Sequence, residues 1–329
     1  MRKNLWLLFI LLMSSGTALA TTKCLQTKAT LDIGSGTTKI LVAQINKCQK
    51  SILKLLMDEK VAIPFNEDLD QSKDFRLSPI IFEKAVQKLT PLLEKARSYH
   101  PGKIKAVATS VFREALNGKE FALALANKMK LEIKVISQQQ EAILGYQSAQ
   151  VVSGNFSENI LVWDIGGGSM QMVQRHKSMN NIYMGAIASV TFKNMLLNSV
   201  IDAPENQTSP NPLGNKANAS LKLAEYYAKV HVPKPIKETS RSSQVLGIGG
   251  VFTALQQKVD STSHLLTKAN LEELLQQRKN LTDEQIPGDY KAVDVTNIIL
   301  VLGFMKALGI EQVNTYKVNL THGLLFTMK

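Results

Sequence analysis

The chain has 329 residues, of which 44% are hydrophobic and 20% are charged, and this composition excludes a disordered, collagen-like or coiled-coil protein. Lys and Arg outnumber Asp and Glu by 39 to 27, a formal charge of +12. The excess either attracts polyanionic substrates or is scattered, solvated lysine. At roughly 150 residues per domain, the length predicts two domains.

The first twenty residues have the pattern of a secretory signal peptide. Arg2 and Lys3 precede an apolar run over residues 5–13, and Ala18-Leu19-Ala20 is a small-x-small cleavage site. The run is too short to span a membrane, and no later segment has 18 uninterrupted apolar residues. We therefore expect a periplasmic or secreted protein without a membrane span. Loss of two basic residues and no acidic one lowers its charge from +12 to +10.

The first predicted element of the mature chain is a β-hairpin, with strands over residues 29–33 and 39–45 and a turn at Gly36. The only two cysteines, Cys24 and Cys48, lie symmetrically about that turn. A hairpin places them opposite each other, and an oxidising compartment permits a disulfide between them. We expect this disulfide, with two free buried thiols as the alternative.

Helices and strands then alternate through the first half of the chain. This alternation predicts an α/β sheet. A hinge near residues 137–150 predicts a first domain over 21–140 and a second over 141–329. The predicted elements are a helix over 80–97, a strand over 104–108, a helix over 117–129, a strand over 133–136 and a helix over 138–147.

The second half repeats the opening hairpin. Residues 32–37 are Asp-Ile-Gly-Ser-Gly-Thr, and residues 164–169, offset by 132, are Asp-Ile-Gly-Gly-Gly-Ser. Both copies lie between predicted strands, so the repeat indicates a duplicated α/β fold. The remaining predicted elements are a loop rich in Pro and Asn over 204–218, a third strand-to-glycine turn over 245–250, and helices from 251, over 271–278 and over 295–308.

The three glycine turns are the main functional signal. Glycine lets the backbone approach a phosphate closely and present N–H donors to its oxygens. One such turn is weak evidence because tight turns need glycine anyway, whereas two copies with an aspartate at the same place are stronger. The predicted phosphate-binding residues are Gly34, Ser35, Gly36, Thr37, Thr38, Gly166, Gly167, Gly168, Gly249 and Gly250, and Ser169 adds a hydroxyl.

Asp32 and Asp164 begin the two repeated turns. A carboxylate repels a neighbouring phosphate unless a cation lies between them, so the pair predicts Mg²⁺, with Ca²⁺ as the alternative. Either aspartate alone is equally compatible with a turn-forming hydrogen bond to its own backbone.

Arg113 and Glu141 follow two of the predicted strands. Arg113 either clamps a phosphate or forms a surface salt bridge. Glu141 is either a general base for water or a solvated glutamate in a first helical turn. The sequence contains no recognisable Ser/His/Asp triad, histidine metal-ligand spacing, CxxC or P-loop lysine motif. It also lacks a nucleic-acid recognition motif, so no specific nucleic-acid binding is expected.

In order and spacing, residues 29–45, 107–117, 136–146, 161–173 and 246–255 resemble the successive motifs of the exopolyphosphatase/guanosine-pentaphosphate phosphohydrolase (Ppx/GppA) family. The resemblance covers nearly all of the mature chain, which is similar to short members without a C-terminal helical extension. It implies the α/β fold of the actin/Hsp70/sugar-kinase superfamily, with two ribonuclease-H-like domains and a cleft between them.

The resemblance also implies roles for individual residues. Glu141 stands at the position of the family's catalytic glutamate, and Arg113 matches an arginine that faces the cleft. Asp32 and Asp164 match the carboxylates at the phosphate loops.

The chain departs from the family pattern at Gly36-Thr37, at Met170-Gln171 and at Leu320-Thr321-His322-Gly323. Gln171 replaces a glutamate that is thought to help hold metal in the family. Apyrases, which are exported nucleoside triphosphate diphosphohydrolases, look similar at this loop and have glutamine there. Their serine and glutamine position the attacking water beside a glutamate base, which implies Ser169, Gln171 and Glu141 as the equivalent set.

These features together predict an exported phosphoanhydride hydrolase that releases terminal phosphate. A hydrolase needs only water, whereas a kinase outside the cytoplasm lacks ATP. Inorganic polyphosphate is the first expected substrate, from the family and the charge. The alternatives are an apyrase-like nucleoside di- or triphosphatase and a non-catalytic sensor that binds polyphosphate or nucleotide. The sequence does not distinguish a monomer from a dimer.

Overall fold

The computed structural model describes residues 24–176, 179–204, 207–260, 262–288 and 290–327. The predicted signal peptide lies outside these residues. The chain forms two compact units, Met1–Leu144 with Leu320–Lys329, and Gly145–Asn319. In the described ranges, no helix combines the length and the apolar character needed to cross a membrane.

The strands are β1 (Leu25–Ile33), β2 (Thr37–Asn46), β3 (Ser51–Ala62), β4 (Ile104–Ala108), β5 (Glu132–Val135), β6 (Ile160–Ile165), β7 (Met170–His176), β8 (Met179–Gly185), β9 (Gln244–Ile248), β10 (Leu265–Thr267) and β11 (Gln312–Thr315). The α-helices are α1 (Phe65–Asp70), α2 (Pro79–Arg97), α3 (Ser110–Glu114), α4 (Gly118–Met129), α5 (Gln138–Ser153), α6 (Ser189–Leu196), α7 (Lys216–His231), α8 (Lys234–Thr239), α9 (Gly250–Val259), α10 (Lys268–Arg278), α11 (Asp294–Leu308) and α12 (Leu320–Thr327). A π-helical turn (Leu197–Ile201) and a 3₁₀ turn (Lys291–Val293) complete them.

Each unit is built on one mixed sheet, and the two sheets share one topology. The first has the strand order β3-β2-β1-β4-β5, and the second has the order β8-β7-β6-β9-β11 with β10 added at the edge beyond β11. In both, the opening strand pairs antiparallel with its hairpin partner and parallel with the strand on its other side. The duplication predicted from the repeated turns is therefore present throughout both sheets.

The core of the first unit lies between its sheet and the helices α2 and α4. Alternate residues of the β1–β2 hairpin, such as Leu31 and Ile40, are fully buried against Leu89 and Leu125 from those helices. In the second unit, Trp163 packs edge-to-face on Phe252 with ring centroids 5.1 Å apart. Burial of these apolar faces fixes the register of the strands that carry the glycine turns.

The C-terminal helix α12 belongs to the first unit, whereas the sequence-based division assigned residues 141–329 to the second. The Thr30 hydroxyl donates to the Thr321 carbonyl over 3.0 Å, and Lys28 Nζ donates to the Leu325 carbonyl over 2.9 Å. Leu325 is also fully buried against β2. These contacts join residues nearly 300 positions apart in sequence, which local pattern analysis does not detect.

Cys24 and Cys48 form a disulfide, with Cα atoms 5.5 Å apart, inside the range of about 4.4–6.8 Å that such a bond requires. The hairpin ladder pairs Leu25 with Asn46, and Lys47 N–H donates to the Cys24 carbonyl over 2.9 Å. The bridge therefore closes the open end of the β1–β2 hairpin, opposite its glycine turn.

Candidate active site

The first glycine turn joins β1 to β2, and its carbonyl groups hold it in place by accepting backbone hydrogen bonds. Gly34 N–H donates to the Thr37 carbonyl over 3.2 Å, and a Cβ on Gly34 would lie only 2.9 Å from that oxygen. The carbonyls of Ser35 and Gly36 accept from Asn66 and Ile63. The N–H groups of Ser35 and Gly36 make no hydrogen bond within the described chain, so they are available to phosphate oxygens.

The second turn, between β6 and β7, repeats this arrangement. Gly166 N–H donates to the Ser169 carbonyl over 3.0 Å, and the carbonyls of Gly166 and Gly167 accept from Ser189 and Val190 at the start of α6. Among the described residues nothing accepts from the N–H groups of Gly167 and Gly168. The equivalent backbone hydrogen bonds show that the two turns have the same backbone architecture.

The third turn lies beside the second because β9 runs parallel to β6, with Ile248 next to Asp164. Gly249 has φ +92°, and a Cβ there would lie 2.5 Å from Asp164 Oδ1 and 2.6 Å from the Ile165 carbonyl oxygen. Only glycine fits this position. Helix α9 begins at Gly250, so its first N–H groups add to the donors at this edge of the sheet.

The two repeated aspartates face different partners across their strand pairs. Asp32 pairs with Lys39, and its equivalent Asp164 pairs with Gln171. Asp32 is only 7% exposed, with Lys39 Nζ 3.8 Å from its carboxylate. Burial raises the pKa of Asp32, and the positive charge of Lys39 offsets part of that rise. Sequence reasoning missed Lys39, although the 132-residue offset equates it with Gln171.

Gln171 and Ser169, two members of the predicted catalytic set, are hydrogen-bonded to each other. The Gln171 side chain is 4% exposed, and its amide nitrogen donates to Ser169 Oγ over 3.0 Å. The amide thereby orients the Ser169 hydroxyl at the start of β7.

Arg113 and Glu141 form an ion pair in the first unit. Arg113 Nη1 lies 2.8 Å from Glu141 Oε2 and also donates to the Ile136 carbonyl over 3.0 Å. The side chains are 23% and 16% exposed, so Glu141 is not a solvated first-turn glutamate and the pair is not a surface salt bridge. Arg113 therefore holds the Glu141 carboxylate. Its other guanidinium nitrogens form no hydrogen bond with a described residue, so they are available as donors to phosphate.

Capping hydrogen bonds at the start of helix α5 fix the position of the Glu141 backbone. Ser137 N–H donates to Gln140 Oε1 over 3.0 Å, and Gln140 N–H donates to Ser137 Oγ over 3.1 Å. This reciprocal pair is a capping box, which fixes the first turn of a helix. The Ser-x-x-Gln spacing of residues 137–140 is the sequence signal for it.

The described residues contain no group of three or more His, Cys, Asp or Glu side chains placed to hold a metal. Mg²⁺ usually keeps several waters and needs only one or two carboxylates together with substrate phosphates. Asp164, whose Oδ1 lies in the space that Gly249 leaves open, suits such a water-rich site. Lys39 already balances the charge of Asp32, so Asp32 suits contact with the cation through water.

The fold is similar to solved structures of a Ppx/GppA family member and of an exopolyphosphatase. The Aquifex aeolicus family member matches with a TM-score of 0.74 at 18% identity, covering 92% of this chain and 97% of that one. An exopolyphosphatase from Cytophaga hutchinsonii matches with a TM-score of 0.70 at 18% identity, covering 92% and 97%. The predicted fold class is confirmed as an α/β fold of two domains.

Two curated relatives match in sequence. A bifunctional 3-dehydroquinate synthase/phosphatase from Fusobacterium nucleatum is 26% identical over 82% of this chain and 41% of its own length. A guanosine-5'-triphosphate,3'-diphosphate pyrophosphatase from Aeromonas hydrophila is 25% identical over 91% of this chain and 58% of its own length. The chain thus spans about half the length of these relatives.

The model of the Ppx/GppA phosphatase family matches residues 41–329, a span that includes Arg113, Glu141 and the second and third glycine turns. Members of the family are phosphoanhydride hydrolases that generally depend on a divalent cation. The chain belongs to the Ppx/GppA phosphatase family.

Proposed function

We propose that this protein hydrolyses phosphoanhydrides and releases the terminal phosphate of inorganic polyphosphate. The observation that carries the proposal is the half-buried Arg113–Glu141 ion pair, with Nη1 and Oε2 2.8 Å apart, in the unit that holds the first glycine turn. A charge of +12 supports a polyanionic substrate.

In this proposal Glu141 accepts a proton from the attacking water, and Ser169 with Gln171 orients that water. The glycine turns and Arg113 stabilise the charge on the phosphoryl oxygens, which is most of what phosphoryl transfer requires. A divalent cation, Mg²⁺ with Ca²⁺ as the alternative, would be held by Asp164 and, through water, Asp32, and would neutralise phosphate charge.

The hydrogen bond from Gln171 to Ser169 favours a second candidate, an apyrase-like nucleoside di- or triphosphatase. A phosphate-release assay with polyphosphate, ATP and ADP, each with Mg²⁺ or Ca²⁺, distinguishes the two candidate functions. We expect release from polyphosphate to be fastest. Faster release from ATP or ADP would favour the second candidate, and binding without release would indicate a sensor.

We further propose that the protein is exported to the periplasm or secreted. The support is the leader pattern of residues 1–20 and the Cys24–Cys48 disulfide, a bond typical of oxidising compartments. Mass spectrometry of the protein from its native source should give Thr21 as the first residue. An intact Met1 would contradict the proposal.

A further inference from the structure

The first unit carries a groove of about 860 Å³ whose lining includes none of the proposed catalytic residues. It runs between the first half of α2 and the start of α4, and its apolar lining includes Leu77, Phe82 and Phe121. The two phenylalanine rings pack edge-to-face with centroids 5.3 Å apart. These two rings form the aromatic part of the lining.

One large apolar side chain in the lining of this groove is exposed to solvent, and three more belong to residues next in sequence to lining residues. Ile80 lines it and is 81% exposed, and Phe75, at 67%, lies between the lining residues Asp74 and Arg76. Leu116 and Leu123, at 68% and 63%, are next in sequence to the lining residues Asn117 and Ala124. A cluster of exposed apolar side chains around a concave surface is typical of an interaction site.

The backbone holds Phe75 in its exposed position. Phe75 has φ +56°, which is uncommon for a bulky residue, and its carbonyl accepts from Leu116 N–H over 2.9 Å. Asn117 fixes the same loop by exchanging two hydrogen bonds, each 2.9 Å long, with the backbone of Leu77. The apolar edge of the groove is thus part of the ordered fold.

The charge of the groove indicates what it binds. Glu83 on α2 and Glu120 on α4 are exposed, line the groove and form no ion pair with any described residue. The other lining carboxylates are engaged, Asp68 by Ser78 and Asp74 by Ser72 and Arg76. Lys73 and Arg76 also line the groove, so its lining has four carboxylates and two cations, a net charge of −2. On a chain of charge +12, this local excess of negative charge favours a basic ligand.

We propose that this groove binds a basic amphipathic helix of a partner protein. Apolar side chains at helical spacing would lie on Phe82 and Phe121 between α2 and α4, as in helix-in-groove recognition. Lysine or arginine side chains that flank them would pair with Glu83 and Glu120. The proposal does not depend on the hydrolase activity.

The test uses a synthetic 16-residue amidated helix with leucine on one face and lysine on the other, labelled for fluorescence anisotropy. We expect saturable binding to the full chain and about tenfold weaker binding to the variant Glu83→Lys/Glu120→Lys, which replaces two ion pairs by two repulsions. The control Asp58→Lys/Glu94→Lys makes the same charge change at exposed positions outside the groove and should bind like the wild type. Phe75→Ser should also weaken binding.

Three results would overturn the proposal. The first is no saturable binding to the wild type, and the second is equal affinity for the lysine peptide and for the same peptide with glutamate in place of lysine. The third is a dimer in light scattering that Glu83→Lys/Glu120→Lys dissociates, since the groove would then bind a second copy of this chain. Phosphate release should be the same in wild type and all variants, so a failure here is distinct from a failure of the proposed hydrolase function.

Discussion

Gln171 differs chemically from the glutamate of the family pattern in one decisive way, because an amide can donate a hydrogen bond and a carboxylate cannot. In the structure it donates to Ser169 Oγ over 3.0 Å. This contact links Gln171 to the hydroxyl of the second glycine turn and to the proposed orientation of water.

We predict that Gln171→Glu lowers turnover by about fivefold or more, since about 1 kcal/mol of orienting hydrogen bond is lost. The measurement is kcat for phosphate release over a Mg²⁺ titration. Gln257→Glu is the control because it adds the same charge at an exposed position. A rise in Mg²⁺-dependent activity in Gln171→Glu would instead identify Gln171 as the remnant of a metal ligand.

Asp32 is a buried carboxylate whose pKa is raised mainly by burial. A raised pKa means that the folded state holds the proton more tightly than the unfolded state. This group therefore lowers stability as the pH rises from its unfolded pKa through its folded pKa. Burial of this carboxyl group therefore costs stability above its unfolded pKa, and such a cost is common at functional sites.

We predict that Asp32→Asn raises the free energy of unfolding at pH 7 and lowers phosphate release. The stability gain should disappear at a pH below the unfolded pKa of aspartate, where Asp32 is neutral in both states. Urea unfolding of both proteins at pH 7 and pH 3.5 measures the effect. Equal stability at pH 7, or a larger gain at the lower pH, would contradict this account of Asp32.

At the scale of elements, the β1–β2 hairpin is held at one end by the glycine turn and at the other by the disulfide. The bridge closes a sequence separation of 24 residues, and the loop-entropy model assigns about 3 kcal/mol to a loop of that size. The bridge acts on the strand pair that carries Asp32 and Lys39.

We predict that Cys24→Ser/Cys48→Ser loses about 3 kcal/mol in the free energy of unfolding by urea. Reduced wild type is the matched comparison and should show the same loss. If oxidised wild type and the double variant are equally stable, the disulfide does not stabilise the fold.

Local sequence patterns predicted some elements closely and others not at all. The predicted strand over 104–108 matches β4, and the helices over 80–97 and 295–308 match α2 and α11 to within one residue at each end. Each has an apolar pattern that fits its period. By contrast, β3 was not predicted, because its exposed leucines at positions 53 and 55 weaken the alternation of apolar and polar residues along the strand.

The candidate site was predictable where its residues repeat and was missed where they depend on tertiary contacts. The 132-residue repeat led to Asp32, Asp164 and the glycine turns. The ion pair between Arg113 and Glu141 joins residues 28 positions apart in sequence. The local sequence around Arg113 fits either a phosphate clamp or a surface salt bridge, and the sequence around Glu141 fits either a general base or a solvated glutamate. Lys39 was missed because a single strand does not reveal its cross-strand neighbour.

At the scale of the whole molecule, duplication explains the distribution of the proposed chemistry. Both units present an aspartate at the end of their opening strand and a glycine turn directly after it, on sheets of the same topology. The copies then diverge, with Lys39 in one and Gln171 in the equivalent place of the other. This divergence supports different tasks for the two turns, charge neutralisation in the first and orientation of water in the second.

The central claim is that Glu141 acts as a general base in phosphoanhydride hydrolysis, and a comparison of Glu141→Gln with wild type tests it most directly. Polyphosphate binding and phosphate release are measured on both proteins, with Glu132→Gln as a matched change at an exposed glutamate. The account predicts release slowed by about 10²–10⁴-fold in Glu141→Gln, with binding nearly unchanged and the control like wild type. Unchanged release in Glu141→Gln, or no release from any phosphoanhydride by the wild type, would contradict it.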